Sequence, residues 1–460
     1  MKASVVVLNF NSGDLIGRCI ECLMAQTAED YEIVLVDNAS TDGSTERMAT
    51  MFAGEERLRI VRSGANRGCA GGRNFGVEHA RGEIIAFVDS DAYADPGWLA
   101  NVLKPFGDPR VGVVASRAIL DGNPWLLNGL GGTLNRQGYG WDLAFGEPIE
   151  FAELPEEVLF ASGNGLTARK EIFDRIGGFD EVYFNYYEDV DFCLRARRSG
   201  YGVVPAPDAT LYHGLGAADL INRNKAFLTE RNRIRTVLKH TRLSRMPMWF
   251  LREIRFELWA RQFSPPGTFP RSWRWNLSNV SSLLRFRRIA GQALAPLSDE
   301  GFQASWGYGR FKSYNLSFRP VRSEWTDSVR MPGDPPGALI YGWYGADVGS
   351  DGRHFRWSDG LSAIGLRSAR PVRAVRLDYA WPSREVAQSG AEVTLRHAES
   401  GAIATTRIEG SRTDFVEVDV PLTAPAGEME LLIRTPGAIR ERGALKRTLG
   451  IALSRVEVLT

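Results

Sequence analysis

In the first 115 residues short apolar runs alternate with helix-length stretches, and no other feature of the chain restricts its fold as much. Runs at 5–8, 32–36, 58–61, 84–88 and 111–115 have the length of strands, and 15–26, 45–52, 72–80 and 96–106 have the length of helices between them. Strands separated by helices do not pair as hairpins, so an α/β domain with a doubly wound, mostly parallel central sheet flanked by helices is expected. In such sheets ligands sit beyond the carboxyl ends of the strands, where strand order reverses. Polar residues directly after each strand are therefore the candidates for chemistry.

The rest of the chain changes character twice. Residues 116–215 are richer in Gly and aromatics and close with a helix over 188–199, stopped by Gly200, and a short strand at 202–205. Within 223–288, 16 Lys and Arg stand against three Glu, interleaved with Trp249, Phe250, Phe256, Trp259, Trp273 and Trp275. Basic residues mixed with aromatics suit an anionic membrane interface. Leu251, Ile254 and Leu258 share a helix face that Arg255 interrupts, so a helical segment packed on the preceding domain satisfies the pattern equally. From 338 onward, strand-like runs at 338–343, 372–379, 391–396, 415–420, 428–433 and 450–459 lack intervening helices and indicate an antiparallel, jelly-roll-like β-sandwich. The expected division is 1–222 for the α/β domain, 223–300 for the basic helical segment and 301–460 for the sandwich.

Across 460 residues, 56 Lys and Arg balance 55 Asp and Glu, so no global field collects nucleic acid, and a nucleic-acid partner is not expected. Hydrophobic residues at 44% and charged residues at 24% exclude a mainly disordered chain. Four cysteines, Cys19, Cys22, Cys69 and Cys193, are too few for a disulfide framework, and no second pair stands at zinc spacing from Cys19 and Cys22. With no run of 18 apolar residues and no cleavable leader before the first strand, the expected location is cytoplasmic, with the basic segment on the inner face of the plasma membrane.

The sharpest local signal is the apolar run 84–88 leading straight into Asp89-Ser90-Asp91. Two carboxylates at i and i+2 past a buried strand can hold a hard divalent cation, although a turn after a strand favours Asp by itself. Asp37 follows the second run and is a candidate ligand for a base or ribose, while Thr41 or Asp42 can cap the next helix. Asn66-Arg67-Gly68 and Gly71-Gly72-Arg73-Asn74 form a Gly-rich basic loop at a helix start, where phosphate or simple solvation of the arginines is expected. No G-x-G-x-x-G follows the first strand, which argues against a nicotinamide enzyme. Glu188-Asp189-Val190-Asp191 opens a helix after the aromatics Tyr183, Phe184, Tyr186 and Tyr187, as macrodipole decoration or as the home of a general base. His213 lies past a short apolar segment, structural on its own or a metal ligand together with Asp91.

Taken in order, Val5-Val6-Val7-Leu8-Asn9-Phe10-Asn11, the stretch from Val36 to Ser44, Asn66-Arg67-Gly68 with Gly72-Arg73-Asn74, Asp89-Ser90-Asp91, Gly177-Gly178-Phe179-Asp180 and Glu188-Asp189-Val190-Asp191 resemble the family 2 glycosyltransferases. The likeness covers about residues 1–240 and is nearest to the rhamnosyltransferase-like members that build bacterial surface polysaccharides. It implies a GT-A nucleotide-sugar-binding fold and inverting transfer of one sugar from a UDP- or dTDP-sugar to a hydroxyl of a saccharide or lipid-linked saccharide acceptor. A divalent metal, Mg²⁺ or Mn²⁺, would be the cofactor.

Carried over, Asp189 would be the general base, with Glu188 beside it. Asn9, Asn11, Asp37, Asn66, Gly68, Arg73, Asn74 and Asp89 would bind the nucleotide. Ser162, Gly163, Asn164 and Tyr187 would face the acceptor, and Asp91, Asp89 and His213 would hold the metal. The Q-x-x-R-W motif and membrane spans of processive members are missing, so single additions are expected. The sandwich lies outside the likeness, and its Trp343, Tyr344, Trp357 and Trp381 suit either core or a sugar-stacking face. Two other classes compete. A carbohydrate-binding or scaffold protein with an inactive transferase domain would rest on the sandwich, and a sugar nucleotidyltransferase would require a Gly-rich basic loop after the first strand.

Overall fold

The computed structural model describes residues 1–121, 127–134, 137–145, 155–213, 223–260, 265–284, 327–330, 339–348, 353–397, 400, 403–410, 414–435, 439–440, 448–449 and 452–460. The chain divides into two compact units, Met1–Gly309 and Arg310–Thr460.

The first unit begins β1 (Ala3–Asn9), α1 (Leu15–Met24), β2 (Tyr31–Asp37), α2 (Ser44–Met51), β3 (Leu58–Arg62), α3 (Gly68–His79) and β4 (Ile84–Asp89). Strands of near-continuous Val, Ile and Leu are what a sheet buried on both faces requires. The pleat sends Val5 and Val7 of β1 to one side, against Ile16, Cys19, Ile20 and Leu23 of α1. Val6 goes to the other side, with Ala70 and Val77 of α3. Glycines let α3 sit close: a Cβ at Gly76 would overlap the Val6 side chain. The chain continues through β5 (Ala92–Ala94), α4 (Trp98–Leu103), β6 (Val111–Leu120), β7 (Leu127–Gly129), β8 (Gly132–Leu134), β9 (Gly140–Asp142), β10 (Leu166–Arg169), α5 (Lys170–Ile176), α6 (Glu188–Arg198) and β11 (Gly202–His213).

Sheet order is β3-β2-β1-β4-β10-β6-β11-β5, with β7 added to β6. Strands β1 to β4 are parallel, and the order reverses at β1, which has β2 on one side and β4 on the other. Beyond β4 the sheet is mixed, because β10 runs antiparallel to both β4 and β6, and β5 antiparallel to β11. These strands of three or four residues are too short to carry a pattern in sequence. The last helix-strand pair is close to the expectation, but β11 runs to His213 rather than ending at 205.

Among the described residues α7 (Arg223–His240), α8 (Met246–Ala260) and α9 (Thr268–Ser278) follow. Much of their positive charge is internal. Arg233, Arg235 and Lys239 are buried. Arg233 pairs with Glu230 and Glu253, and Arg235 and Lys239 pair with Asp180. No helix among the described residues is long and apolar enough to cross a membrane.

Among its described residues the second unit holds a nine-stranded antiparallel sheet and a separate two-stranded one, Ile439–Arg440 with Thr448–Leu449. Its strand His354–Ser368 pairs near its start with Ala452–Leu459 and along its end with Gly427–Arg434, so it joins two groups of strands as in a sandwich. Val375, Leu377 and Tyr379 alternate inward, as do Val393 and Leu395. The strands Ile403–Ile408 and His354–Ser368 and the helix Arg384–Ser389 were not legible in the periodicity. Trp381 is core, edge-on to Tyr379 at 5.4 Å, whereas the side chains of Trp343, Tyr344 and Trp357 lie outside the described residues.

Candidate functional site

The carboxyl ends of β1, β2 and β4 form one edge, and most of the expected donor-side residues stand along it. Asp37 is buried at the end of β2, accepting the Ser40 N–H at 2.9 Å and facing Arg62 at 3.1 Å. Asn11 adopts a left-handed φ of 55° and accepts the Thr41 N–H at 2.7 Å, joining the two loops. Asn66 caps the turn into α3 by accepting the Gly68 N–H at 2.9 Å. Asn38, which sequence reasoning passed over, ties this edge together: its Oδ1 accepts the Arg67 N–H and its amide donates to Asn66 and to the Gly68 carbonyl.

Three of the expected nucleotide ligands, Asn9, Asn74 and Arg73, make buried or inter-element hydrogen bonds within the protein. Asn9 is fully buried and donates to the hydroxyls of Ser44 and Thr45, anchoring α2. Asn74 donates to the Phe179 carbonyl and accepts its N–H, anchoring the segment before α6. The expected loop of Gly71-Gly72-Arg73-Asn74 is the body of α3, which starts at Gly68, so its N–H groups belong to helix bonds rather than to a phosphate. Arg73 is buried with it.

Arg73 is the hub of the site. Its Nη2 donates to Asp89 at 2.9 Å and its Nη1 to Glu188 at 2.7 Å, so one guanidinium links the end of β4 to the start of α6. A fork of planar donors does this where a point-charge ammonium would not. Gly163 lies against it: a Cβ there would come within 2.5 Å of Arg73 Nη2. Burial pushes the Glu188 carboxyl up to about 7, the neighbouring Asp189 charge acts in the same direction, and Arg73 opposes both. The other oxygen of Glu188 is buried without a hydrogen-bond partner. Asp189 is less enclosed, accepting the Gly163 N–H at 2.9 Å and the Val190 N–H at 2.7 Å. Burial raises its carboxyl too, against the pull of Arg73 and these N–H groups. Asp191 has a separate, structural place, paired in the core with Arg195, Lys239 and His240.

Asp89, Asp91 and His213 come together as expected, with ligand atoms all within 4.8 Å of one another. His213 Nε2 is 3.5 Å from Asp91, and its Nδ1 is 2.8 Å from the Asn128 amide, which fixes the ring. Burial alone would raise the Asp91 carboxyl, but the hydrogen bond and charge of His213 hold it below its ordinary value. Two carboxylate oxygens and an imidazole nitrogen, all partly exposed, fit a divalent cation that also keeps open positions for diphosphate oxygens. In a second grouping, Glu230, Glu253 and Glu257, the Arg233 guanidinium pairs with Glu230 and Glu253, and Trp273 Nε1 donates to Glu257.

On the other side, the turn at Ser162, Gly163 and Asn164 is closed by the Gly165 N–H to the Ser162 carbonyl at 3.1 Å. Ser162 donates to Asp142, a carboxylate that the sequence did not single out. Ser116, Asn128, Asp142, Ser162 and Asn164 line one cleft here. Tyr187, expected to touch an acceptor, is buried and holds the β8–β9 hairpin, donating to the Gly138 carbonyl and accepting the Gly140 N–H, both at 3.1 Å.

The segment leading into Glu188 is strained. Phe184, Tyr186 and Tyr187 have φ of 66°, 70° and 71°. The Asn185 N–H closes a three-residue turn on the Tyr183 carbonyl at 2.8 Å. Asn232 of α7 clamps it: its buried amide nitrogen lies 3.0, 2.8 and 2.8 Å from the carbonyls of Tyr183, Asn185 and Tyr186.

Residues 4–177 match the model of glycosyl transferase family 2. A poly(ribitol-phosphate) beta-glucosyltransferase of Bacillus spizizenii is 42% identical over 96 residues, 20% of this chain and 15% of that protein. The glycosyltransferase AglE of Haloferax volcanii is 26% identical over 213 residues, 46% of this chain and 66% of that protein. The chain spans 24%, 57% and 33% of the first three curated relatives it matches. Among solved structures, GalNAc-T7 with UDP, GalNAc and Mn²⁺ aligns with a TM-score of 0.51 at 14% identity, covering 92% of this chain and 82% of that one. At that identity the likeness shows the fold alone, which is of the GT-A type.

Proposed function

We propose, because this chain belongs to glycosyl transferase family 2 through residues 4–177, that it moves one sugar from a nucleoside diphosphate donor to a hydroxyl of a saccharide or lipid-linked saccharide, with inversion. The observation that carries the reading is the Asp89–Arg73–Glu188 bridge, which ties the candidate metal carboxylates to the carboxylate pair opening α6. Asp189, the more exposed of that pair, accepts the proton of the attacking hydroxyl at its carboxylate. The Gly163 and Val190 N–H groups orient it, and Arg73 keeps Glu188 and Asp189 from both being neutralised by burial. Glu188 sets the proton affinity of the pair. Asp37, Asn11, Asn66 and Gly68 form the wall for base and ribose. Asp89, Asp91 and His213 would hold the divalent ion, which supplies charge neutralisation at the diphosphate when bound.

Transfer is tested by release of UDP, dTDP or GDP from sugar donors with Mn²⁺, Mg²⁺ or EDTA. The reading requires metal-dependent release and its loss in Asp189→Asn, and release unaffected by both EDTA and the substitution overturns it.

Membrane contact is the second part of the proposal, now placed on α8 and α9 rather than on all of 223–288. Leu251, Ile254 and Leu258 of α8 are 61%, 57% and 63% exposed, and Leu277, Val280 and Leu284 on or after α9 are exposed as well. Arg252, Arg255, Arg271 and Arg274 are exposed around them, and no carboxylate among the described residues of 241–284 is. An apolar stripe with only cations beside it suits an anionic lipid surface, each cation adding about 1 kcal/mol. Sedimentation with phosphatidylcholine vesicles containing phosphatidylglycerol, but not with phosphatidylcholine alone, is expected, and Leu251→Glu with Leu258→Glu abolishes it. Equal sedimentation of the wild type with both vesicle types refutes the assignment.

A further inference from the structure

Asp142 has no part in the roles above, yet it lines the same cleft as Ser162 and Asn164. The turn at Ser162 and Gly163 holds two carboxylates with consecutive residues: the Ser162 hydroxyl donates to Asp142 Oδ1, and the Gly163 N–H donates to Asp189 Oδ2. Asp142 Oδ2 has no hydrogen-bond partner among the described residues. Gly129 leaves the side chain room, since a Cβ there would come within 2.5 Å of Asp142 Cβ. Among the described residues the cleft around it is lined by Ser116, Asn128, Ser162 and Asn164 with small residues, and none of that lining is Lys or Arg.

We infer that Asp142 is a specificity-determining residue of the acceptor subsite, accepting an O–H from the hydroxyl neighbouring the one that Asp189 deprotonates. The acceptor is in consequence an uncharged, polyhydroxylated saccharide at this subsite rather than one carrying phosphate or carboxylate. The inference rests on the transferase reading of Asp189.

The chemistry follows from the lining. A phosphate or carboxylate is recognised by cationic or convergent N–H donors, and this cleft supplies hydroxyls, amides and a carboxylate instead. Sugar hydroxyls donate, and two carboxylates held by adjacent residues can receive two neighbouring hydroxyls of one ring. Burial pushes the Asp142 carboxyl up to about 6, the Ser162 hydroxyl opposing and the Asp189 charge adding to the rise, so Asp142 remains an acceptor at neutral pH.

The test uses the full chain with the donor identified by the nucleotide screen. Acceptors are the para-nitrophenyl glycosides of glucose, galactose, mannose and rhamnose, set against para-nitrophenyl glucuronide, glucose 6-phosphate and ribitol 5-phosphate. Transfer to at least one neutral glycoside and to none of the anionic compounds is expected. Asp142→Asn raises the KM for that glycoside about tenfold or more, the worth of a hydrogen bond to a charged group, while the Kd of the nucleotide with Mn²⁺ moves by less than about twofold. Retention of that nucleotide affinity also shows that the variant is folded. Ser162→Ala, which only frees the carboxylate to turn, raises KM less. Comparable transfer to an anionic acceptor, failure with every neutral glycoside by an enzyme that binds donor, or an unchanged KM in Asp142→Asn overturns the inference and leaves the transferase reading standing. Absence of nucleotide binding and of donor turnover sinks both together.

Discussion

Arg73→Met removes the guanidinium that joins Asp89 to Glu188 while keeping most of the stem. Its two partners differ in their access to water: the Asp89 side chain is 33% exposed and the Glu188 side chain 5%. Removing one member of a buried pair costs about 3–5 kcal/mol. Because water can reach Asp89, the loss concentrates on Glu188, and about 3 kcal/mol is the working figure.

The cost depends on pH, with a definite sign. Burial, with the Asp189 charge beside it, pushes the Glu188 carboxyl up to about 7 from its ordinary 4.5, and Arg73 only partly offsets this. Without Arg73 its folded-state value rises further. A carboxyl raised on folding binds its proton more tightly in the native state, so stability falls as pH climbs from the unfolded value to the folded one. The wild type stops losing stability near pH 7, and the variant goes on losing it. The gap between them therefore widens by about 1.4 kcal/mol for each pH unit above 7. Calorimetry of the full chain at pH 6 and pH 8.5, following the transition that a nucleotide with Mn²⁺ shifts, reads this as a deficit in Tm of roughly 2 °C per kcal/mol. A deficit of the same size at both pH values, or one below about 1 kcal/mol at pH 8.5, would refute the view that Arg73 exists to balance Glu188.

Other outcomes follow from the same geometry. Asp189→Asn lowers kcat by about 10²–10⁴ while nucleotide affinity, measured by calorimetry, is retained. The activity of the wild type declines on the acid side as the Glu188–Asp189 pair takes up a proton near pH 7, and Glu188→Gln, by removing a like charge beside Asp189, moves that limb to lower pH. Asn128→Ala, which frees the His213 ring, weakens Mn²⁺ binding by about tenfold or more in a titration followed by calorimetry. Gly163→Ala drives a methyl group into the Arg73 guanidinium and costs about 1–3 kcal/mol in thermal unfolding.

What the sequence discloses and what it withholds divide along the range of the contacts. Strands β1 to β4, buried on both faces, announce themselves as unbroken apolar runs, and the acids after them fall where the sheet topology directs. Asp89, Asp91 and His213 meet although 122 positions separate the last two, because β11 pairs with β5 directly beyond the Asp-Ser-Asp turn. The bridge made by Arg73 is hidden for a local reason: the glycines around it look like a phosphate loop and serve to seat α3 against β1. Asp142 and Asn128 were missed because they sit on three-residue strands with no periodicity to read. Asn232 was hidden by distance, since its partners lie 46 to 49 positions earlier and nothing in a basic helix marks one amide for them.

The clamp made by Asn232 sets the smallest piece of this chain that can work. Three non-glycine residues in the left-handed region immediately before the carboxylate pair store strain of about 1–3 kcal/mol each. They stay there because Asn232 of α7 holds the carbonyls of Tyr183, Asn185 and Tyr186 around them, and α7 is in turn braced by α9 through Asn276, whose amide donates to the Arg231 carbonyl at 2.9 Å. A fragment cut at residue 177, where the family likeness ends, would lack Asp189, the proposed base. One cut at residue 222 would keep Asp189 and lose the restraint that aims it. The unit that the proposed catalysis requires is therefore marked out by a load path through α7 and α9, and it runs to Ser278.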